Sequence, residues 1–95
     1  MYNSIEKITA SNISATPASF VLRGGQYGVT VNATFGGGSI TLQRLSVDGA
    51  TYVTCLTAFT AAGYASVNLP SGTYRLAIAT AASVYADVVA IVTAQ

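Results

Sequence analysis

The sequence predicts an all-β protein: a single small antiparallel β-sandwich of about seven strands, jelly-roll or Ig-like, with an extended N-terminal arm. Three observations carry this. From Ser19 onward apolar residues recur with a period of two. Glycine-containing or small-residue turns interrupt that alternation at short intervals. No segment carries a helical period. The length, 95 residues, suits one domain, divided into an arm over 1–17 and a sandwich over 18–95.

The arm reads as extended because Ser, Thr and Asn dominate it and Thr16-Pro17 closes it, the residue before proline being pushed out of the helical region. Its apolar residues are Ile5, Ile8 and Ile13. In the sandwich, Phe20 and Leu22 share a face, and Gly24-Gly25 turns the chain. Tyr27, Val29, Val31, Ala33 and Phe35 then alternate with polar or small residues in the cleanest strand of the sequence. Gly36-Gly37-Gly38 reads as a flexible hairpin connection. Ile40 and Leu42 begin a strand whose apolar phase slips to Leu45 and Val47, which predicts a β-bulge near Gln43-Arg44. Asp48-Gly49 predicts a hairpin with a primed turn.

The second half continues in the same style. Ala50 to Leu56 is strand-like, followed by a small-residue connection over 57–63. Ala65, Val67 and Leu69 alternate up to the turn Pro70-Ser71-Gly72, and Tyr74, Leu76 and Ile78 share the next inward face. The last segment, Val84 to Thr93, is apolar on both faces, with Tyr85, Asp87, Val89 and Ile91 opposite Val84, Ala86, Val88 and Ala90. Asp87 there fits either the polar face of an edge strand or a salt bridge across a subunit boundary.

Charge excludes more than it assigns. The chain has 4 basic and 3 acidic residues, or 7% charged, against roughly 25% in ordinary domains. A phosphate-neutralising nucleic-acid binder needs Lys and Arg at each contact, so no nucleic-acid partner is expected. With no histidine, Ser-His-Asp and Cys-His catalysis are impossible, and the commonest metal ligand is missing. Cys55 stands alone and reads as a small buried hydrophobe. Gly36-Gly37-Gly38-Ser39 lacks the lysine and helix of a phosphate loop. No catalytic residue, cofactor site or metal site is therefore expected. Glu6 and Lys7 stand where a signal peptide would be apolar, and the long uncharged stretches are broken by Gly and Pro. The expectation is a protein not exported by a signal peptide, with no membrane partner.

Outward positions carry Ser, Thr, Asn, Gln and Ala, which lose little entropy when covered. Together with the two-faced last strand, this points to a protein that works inside an assembly. The candidate contacts on that strand are Tyr85, Asp87, Val89 and Ile91. Tyr27 and Tyr74 are in phase with the core, whereas Tyr64 and Tyr85 are not. Tyr52, Tyr64 and Tyr85 are therefore the candidate aromatic contacts if the partner is a glycan.

The runs Phe20-x-Leu22-x-Gly24-Gly25-x-Tyr27-x-Val29, Ala33 to Gln43, Val47-Asp48-Gly49 and Leu69-Pro70-Ser71-Gly72-Thr73-Tyr74-Arg75 resemble small virion structural proteins of tailed bacteriophages and prophages. These are of the head decoration (cement) or head-fibre type. The resemblance covers about residues 18–92. It implies a non-enzymatic protein on the capsid surface, often a homotrimer, bound to the major capsid protein and stabilising the shell. Proteins of this kind commonly grip the capsid with an N-terminal arm, a role that would suit Tyr2, Ile5, Ile8 and Ile13. Two alternatives stand beside it: a glycan-binding, adhesive head-fibre or tail appendage, and a tail or connector subunit.

Overall fold

A computed structural model of the chain describes residues 7–91. Eight strands form two four-stranded antiparallel sheets packed face to face. They are β1 (Lys7–Ile13), β2 (Phe20–Leu22), β3 (Gly25–Thr34), β4 (Ser39–Leu45), β5 (Tyr52–Thr54), β6 (Gly63–Leu69), β7 (Gly72–Ala79) and β8 (Ala82–Ala90). The first sheet has the order β1-β8-β3-β6 and the second β2-β7-β4-β5. Only the β4–β5 connection stays within a sheet. Every other connection crosses between the two, which is the double Greek key of a jelly roll. The Ig-like alternative is set aside by this order.

Alternation fixes the core. Val29, Val31 and Val88 from the first sheet face Leu22, Ile40, Leu42 and Leu76 from the second, all at most 1% exposed. Burying each such side chain stabilises the fold by about 1.5–3 kcal/mol. No polar or charged residue is fully buried among the described residues. The strand missed in the sequence is β1. Residues 7–13, expected as part of an arm, are indeed extended, but they pair with β8 from Lys7 opposite Val89 to Ile13 opposite Val84.

Two crossovers are built alike. Gly25-Gln26-Tyr27 follows β2, and Gly72-Thr73-Tyr74 follows β6. In each, the tyrosine hydroxyl donates to a carbonyl four residues upstream: Tyr27 to Arg23 at 2.6 Å, and Tyr74 to Pro70. Such a bond ties a corner where the chain changes sheet. The two corners lie side by side, since a Cβ on Gly24 would sit 3.4 Å from the Ser71 nitrogen. Tyr27 and Tyr74 themselves are at most 2% exposed, one in each sheet.

Three local expectations are corrected. The triple glycine is neither a hairpin nor loose, because it carries the chain from β3 in one sheet to β4 in the other. Gly36 and Gly37 adopt φ of 55° and 83°, and a Cβ on Gly38 would lie 1.9 Å from the Ala79 oxygen. There is no bulge at Gln43-Arg44, where β4 pairs with β7 without a register shift from Ser39 to Arg44. Arg44 simply takes the inward phase after Ile40 and Leu42. It lies over the Tyr74 ring (6.0 Å to the centroid) and donates from Nη2 to the Ser71 carbonyl at 2.9 Å. A long side chain can bury its stem and carry its head to the rim, which the hydrophobic pattern records as a slip. The β4–β5 hairpin is real, but its turn is not primed: Gly49 (φ 75°) has positive φ and Asp48 does not. Asp48 holds the loop instead, its carboxylate accepting from Ala50 N, Thr51 N and Thr51 Oγ1 at 2.8–2.9 Å. These bonds hold its carboxyl at about 2, against an ordinary 3.8.

Candidate functional site

The bulges lie elsewhere, and they shape the most distinctive surface of the molecule. Asn12 (φ 55°) is the extra residue of β1 between Ser11 and Ile13. Ser83 (φ 51°) lies where β8 carries two residues between Tyr85 and Ala82 against one in β3. A bulge bends its strand and re-aims neighbouring side chains. The first sits in β1 and the second in β8 itself, two residues before Tyr85.

Beside them, on the outer face of the first sheet, the ladders set two rows of three residues. Thr9, Asp87 and Thr30 stand across β1, β8 and β3, and next to them Ser11, Tyr85 and Asn32. Neighbours across strands lie about 4.8 Å apart and the rows about 6.7 Å apart. These residues line an open depression of about 280 Å³. It offers hydroxyls, an amide and a carboxylate around one aromatic ring. Asp87 is half-buried there. Its strand is interior, between β1 and β3, so the edge-strand reading of Asp87 is corrected.

Toward β6 the same face carries a second tyrosine. A Cβ on Gly28 would lie 2.8 Å from the Tyr64 hydroxyl and 2.9 Å from its Cε1, so the ring lies over the bare Gly28 backbone. Gly28 is buried as a result, while Tyr64 stays 62% exposed. An aromatic ring covering a glycine in this way supplies the packing that the glycine lacks. Tyr85 is 49% exposed. Thr30, Asn32, Ser66 and Asn68 complete an exposed and nearly uncharged surface.

The remaining expected contacts distribute as follows. Tyr2 and Ile5 lie outside the described residues. Ile8 and Ile13, expected to grip a partner, are half-buried against the domain's own core, because β1 is a strand of the sheet and alternation turns them inward. Val89 is half-buried on the outer face beside Gly28. Ile91 is 37% exposed and its N–H donates to the Gln26 carbonyl at 2.8 Å. Tyr52 belongs to the opposite face of the molecule, beneath Arg75, whose guanidinium lies 3.9 Å from its ring centroid. The three candidate tyrosines therefore do not form one platform; Tyr64 and Tyr85 share a face and Tyr52 does not.

Sequence reasoning missed Thr9, Ser11, Thr30 and Asn32 as site residues. The Thr/Ser/Asn alternation of the first and third strands carried the signal, but which strands neighbour β8 is a matter of topology. Cys55 is half-buried against the core, and burial pushes its thiol up. Among the described residues no group of three or more His, Cys, Asp or Glu is placed to hold a metal ion. Fold and surface together define a small jelly-roll domain with one polar and aromatic sheet face. No protein-family model and no curated protein matches the chain.

Proposed function

We propose that this protein is a non-enzymatic structural component of a tailed-bacteriophage particle. It lies on the head surface, associates with itself and the major capsid protein, and stabilises the shell. The observation that carries this reading is the outer face of the β1-β8-β3-β6 sheet. It is formed by short polar side chains around Tyr64 and Tyr85, and is almost free of long charged chains. Such side chains surrender little entropy when covered, and tyrosines supply contact area with few rotatable bonds. The jelly roll is itself an architecture of viral capsid domains. The mechanism is mass action: a protein that binds only the assembled shell favours the assembled shell.

The test is the protein's position in purified particles. Quantitative mass spectrometry and imaging are expected to find many copies outside the head. Copies confined to the tail or connector would contradict the reading. Because Lys7–Ile13 is a strand, a truncation testing the arm must stop before Lys7. Removing residues 1–6 spares every described strand and separates grip by the arm from binding by the face.

A second reading has its own observation in the depression at Tyr85 and Asp87. One carboxylate, one amide, several hydroxyls and a ring suit the alternating hydroxyl and C–H faces of a sugar. At about 280 Å³ the space sits at the lower end of small-ligand sites, which run from about 300 Å³ upward, so it holds one ring. Titration with single monosaccharides, read by amide shifts of Thr30, Asn32 and Asp87, tests it. No shift at tens of millimolar, on the order expected to saturate a millimolar site, would remove this reading.

A further inference from the structure

Among the described residues the two sheets have four edge strands, and three of them are guarded. β1 carries Lys7 and the Asn12 bulge. β2 and β5 are three residues long each, and Arg23 follows β2 directly. β6 has none of these devices. Gly63–Leu69 is seven residues long with no charge and no proline. Its register against β3 is unbroken from Gly63 opposite Val31 to Leu69 opposite Gly25. A long, regular, uncharged edge presents a row of unpaired N–H and C=O groups, and natural proteins do not leave such an edge bare.

We infer that β6 is a self-association edge, at which two copies of this chain pair antiparallel about a two-fold axis through Ser66. The choice of a second copy comes from the sequence of the strand. Antiparallel self-pairing about Ser66 sets Ala65 opposite Val67, Tyr64 opposite Asn68 and Gly63 opposite Leu69. Every pair off the axis joins a smaller side chain to a larger one, and no like charges meet, as directly opposed positions require. Ala65 and Val67 are half-buried at the edge of the core; the partner strand covers what remains. A contact of this kind is isologous and closes at two. The result is one sheet of order β1-β8-β3-β6-β6-β3-β8-β1, with both outer faces on the same side.

One seven-residue strand pair is a small interface, in the size class of weak contacts. Association is therefore concentration-dependent in solution. Copies held side by side on a surface meet at a far higher effective concentration, and a weak edge is enough there. The inference rests on the strand and not on the capsid reading, and its test needs no particle.

Sedimentation equilibrium of the full chain, from about 10 µM to about 1 mM, is expected to show the mass rising from 9.7 kDa toward twice that value. Ser66→Lys places two ammonium groups on the axis and is expected to stay monomeric with an unchanged melting temperature, while Ser66→Thr associates as the parent does. Register is read separately in a Cys55→Ala background. Paired Cα atoms about 5 Å apart suit a disulfide, so Ser66→Cys is expected to oxidise to a linked dimer at least tenfold faster than Tyr64→Cys. A parent chain that stays monomeric throughout the range overturns the inference. So does a Ser66→Lys chain that associates like the parent, or equal oxidation of the two cysteine variants.

Discussion

Over β7, β4 and β5 the outer face of the second sheet is covered by its own side chains. Arg75 lies flat on Tyr52 at 3.9 Å and donates from Nε to Gln43 Oε1 at 2.8 Å, and Thr41, Gln43 and Leu45 are half-buried around them. The outer face of the first sheet has no such cover. Tyr64 covers Gly28, and Tyr85 lines a depression with hydroxyls, Asn32 and Asp87. Inside, the two sheets are near equivalents, each entered through a Gly-x-Tyr corner and each contributing aliphatic side chains to one core. An arginine in the right row thus makes one face self-sufficient, while its absence leaves the other available.

If the sheets share an interior and differ only outside, changes at the crossovers must damage the whole molecule and changes outside only one face. The largest effect belongs to Gly38→Ala. A Cβ there would lie 1.9 Å from a backbone oxygen that cannot swing aside. The expected loss is about 3 kcal/mol or more, a fall in Tm of about 12 °C or more for a domain this size, measurable by thermal denaturation. A Gly38→Ala protein as stable as the parent would break the account of the β3–β4 crossover.

Next come the corners. Tyr27→Phe and Tyr74→Phe each remove one buried hydroxyl bond and are expected to cost about 1–2 kcal/mol apiece in urea unfolding. Similar losses would support the likeness of the two corners. A loss confined to one would mean that only that sheet entrance needs its tyrosine.

Arg75→Ala sharpens the comparison at smaller expense to stability, about 1 kcal/mol. Its informative readout is access: Tyr52 is expected to become more reactive to tyrosine-modifying reagents, with Tyr64 and Tyr85 unchanged.

The smallest effect is at Asp48, on the exposed hairpin of the second sheet. Its folded carboxyl titrates at about 2, below the ordinary 3.8, so the charged form is the one that folding favours. Its contribution is full above about pH 4 and is lost as pH falls through 2. Asp48→Asn is therefore expected to lower Tm slightly at pH 7 and to converge on the parent as pH falls through 2.

Much of this was legible in the sequence. Period-two alternation located six of the eight strands and their inward faces, because burial on one side of a sheet writes itself into every second residue. It overran β5, since only Tyr52–Thr54, the middle of the expected 50–56, pairs as a strand. It failed at β1, where Thr, Ser and Asn on the outer face masked Ile8, Ala10 and Ile13 on the inner one. It misread Arg44, since an inward arginine and a bulge leave the same mark. The exposed tyrosines were found from phase alone. The depression was not, because Thr9, Thr30 and Asp87 meet only through strand neighbours 57 and 78 positions apart along the chain, counted as 87 − 30 and 87 − 9.

The central claim is that the first sheet's outer face is the working surface and the second sheet's is not. Thr30 and Thr41 occupy matching outward positions in the middle of β3 and β4. The direct measurement compares Thr30→Lys with Thr41→Lys in co-sedimentation with phage heads stripped of the protein, after melting curves establish that both fold. The account predicts that Thr30→Lys abolishes binding and that Thr41→Lys binds as the parent does. Loss of binding by Thr41→Lys, with Thr30→Lys unaffected, would contradict it.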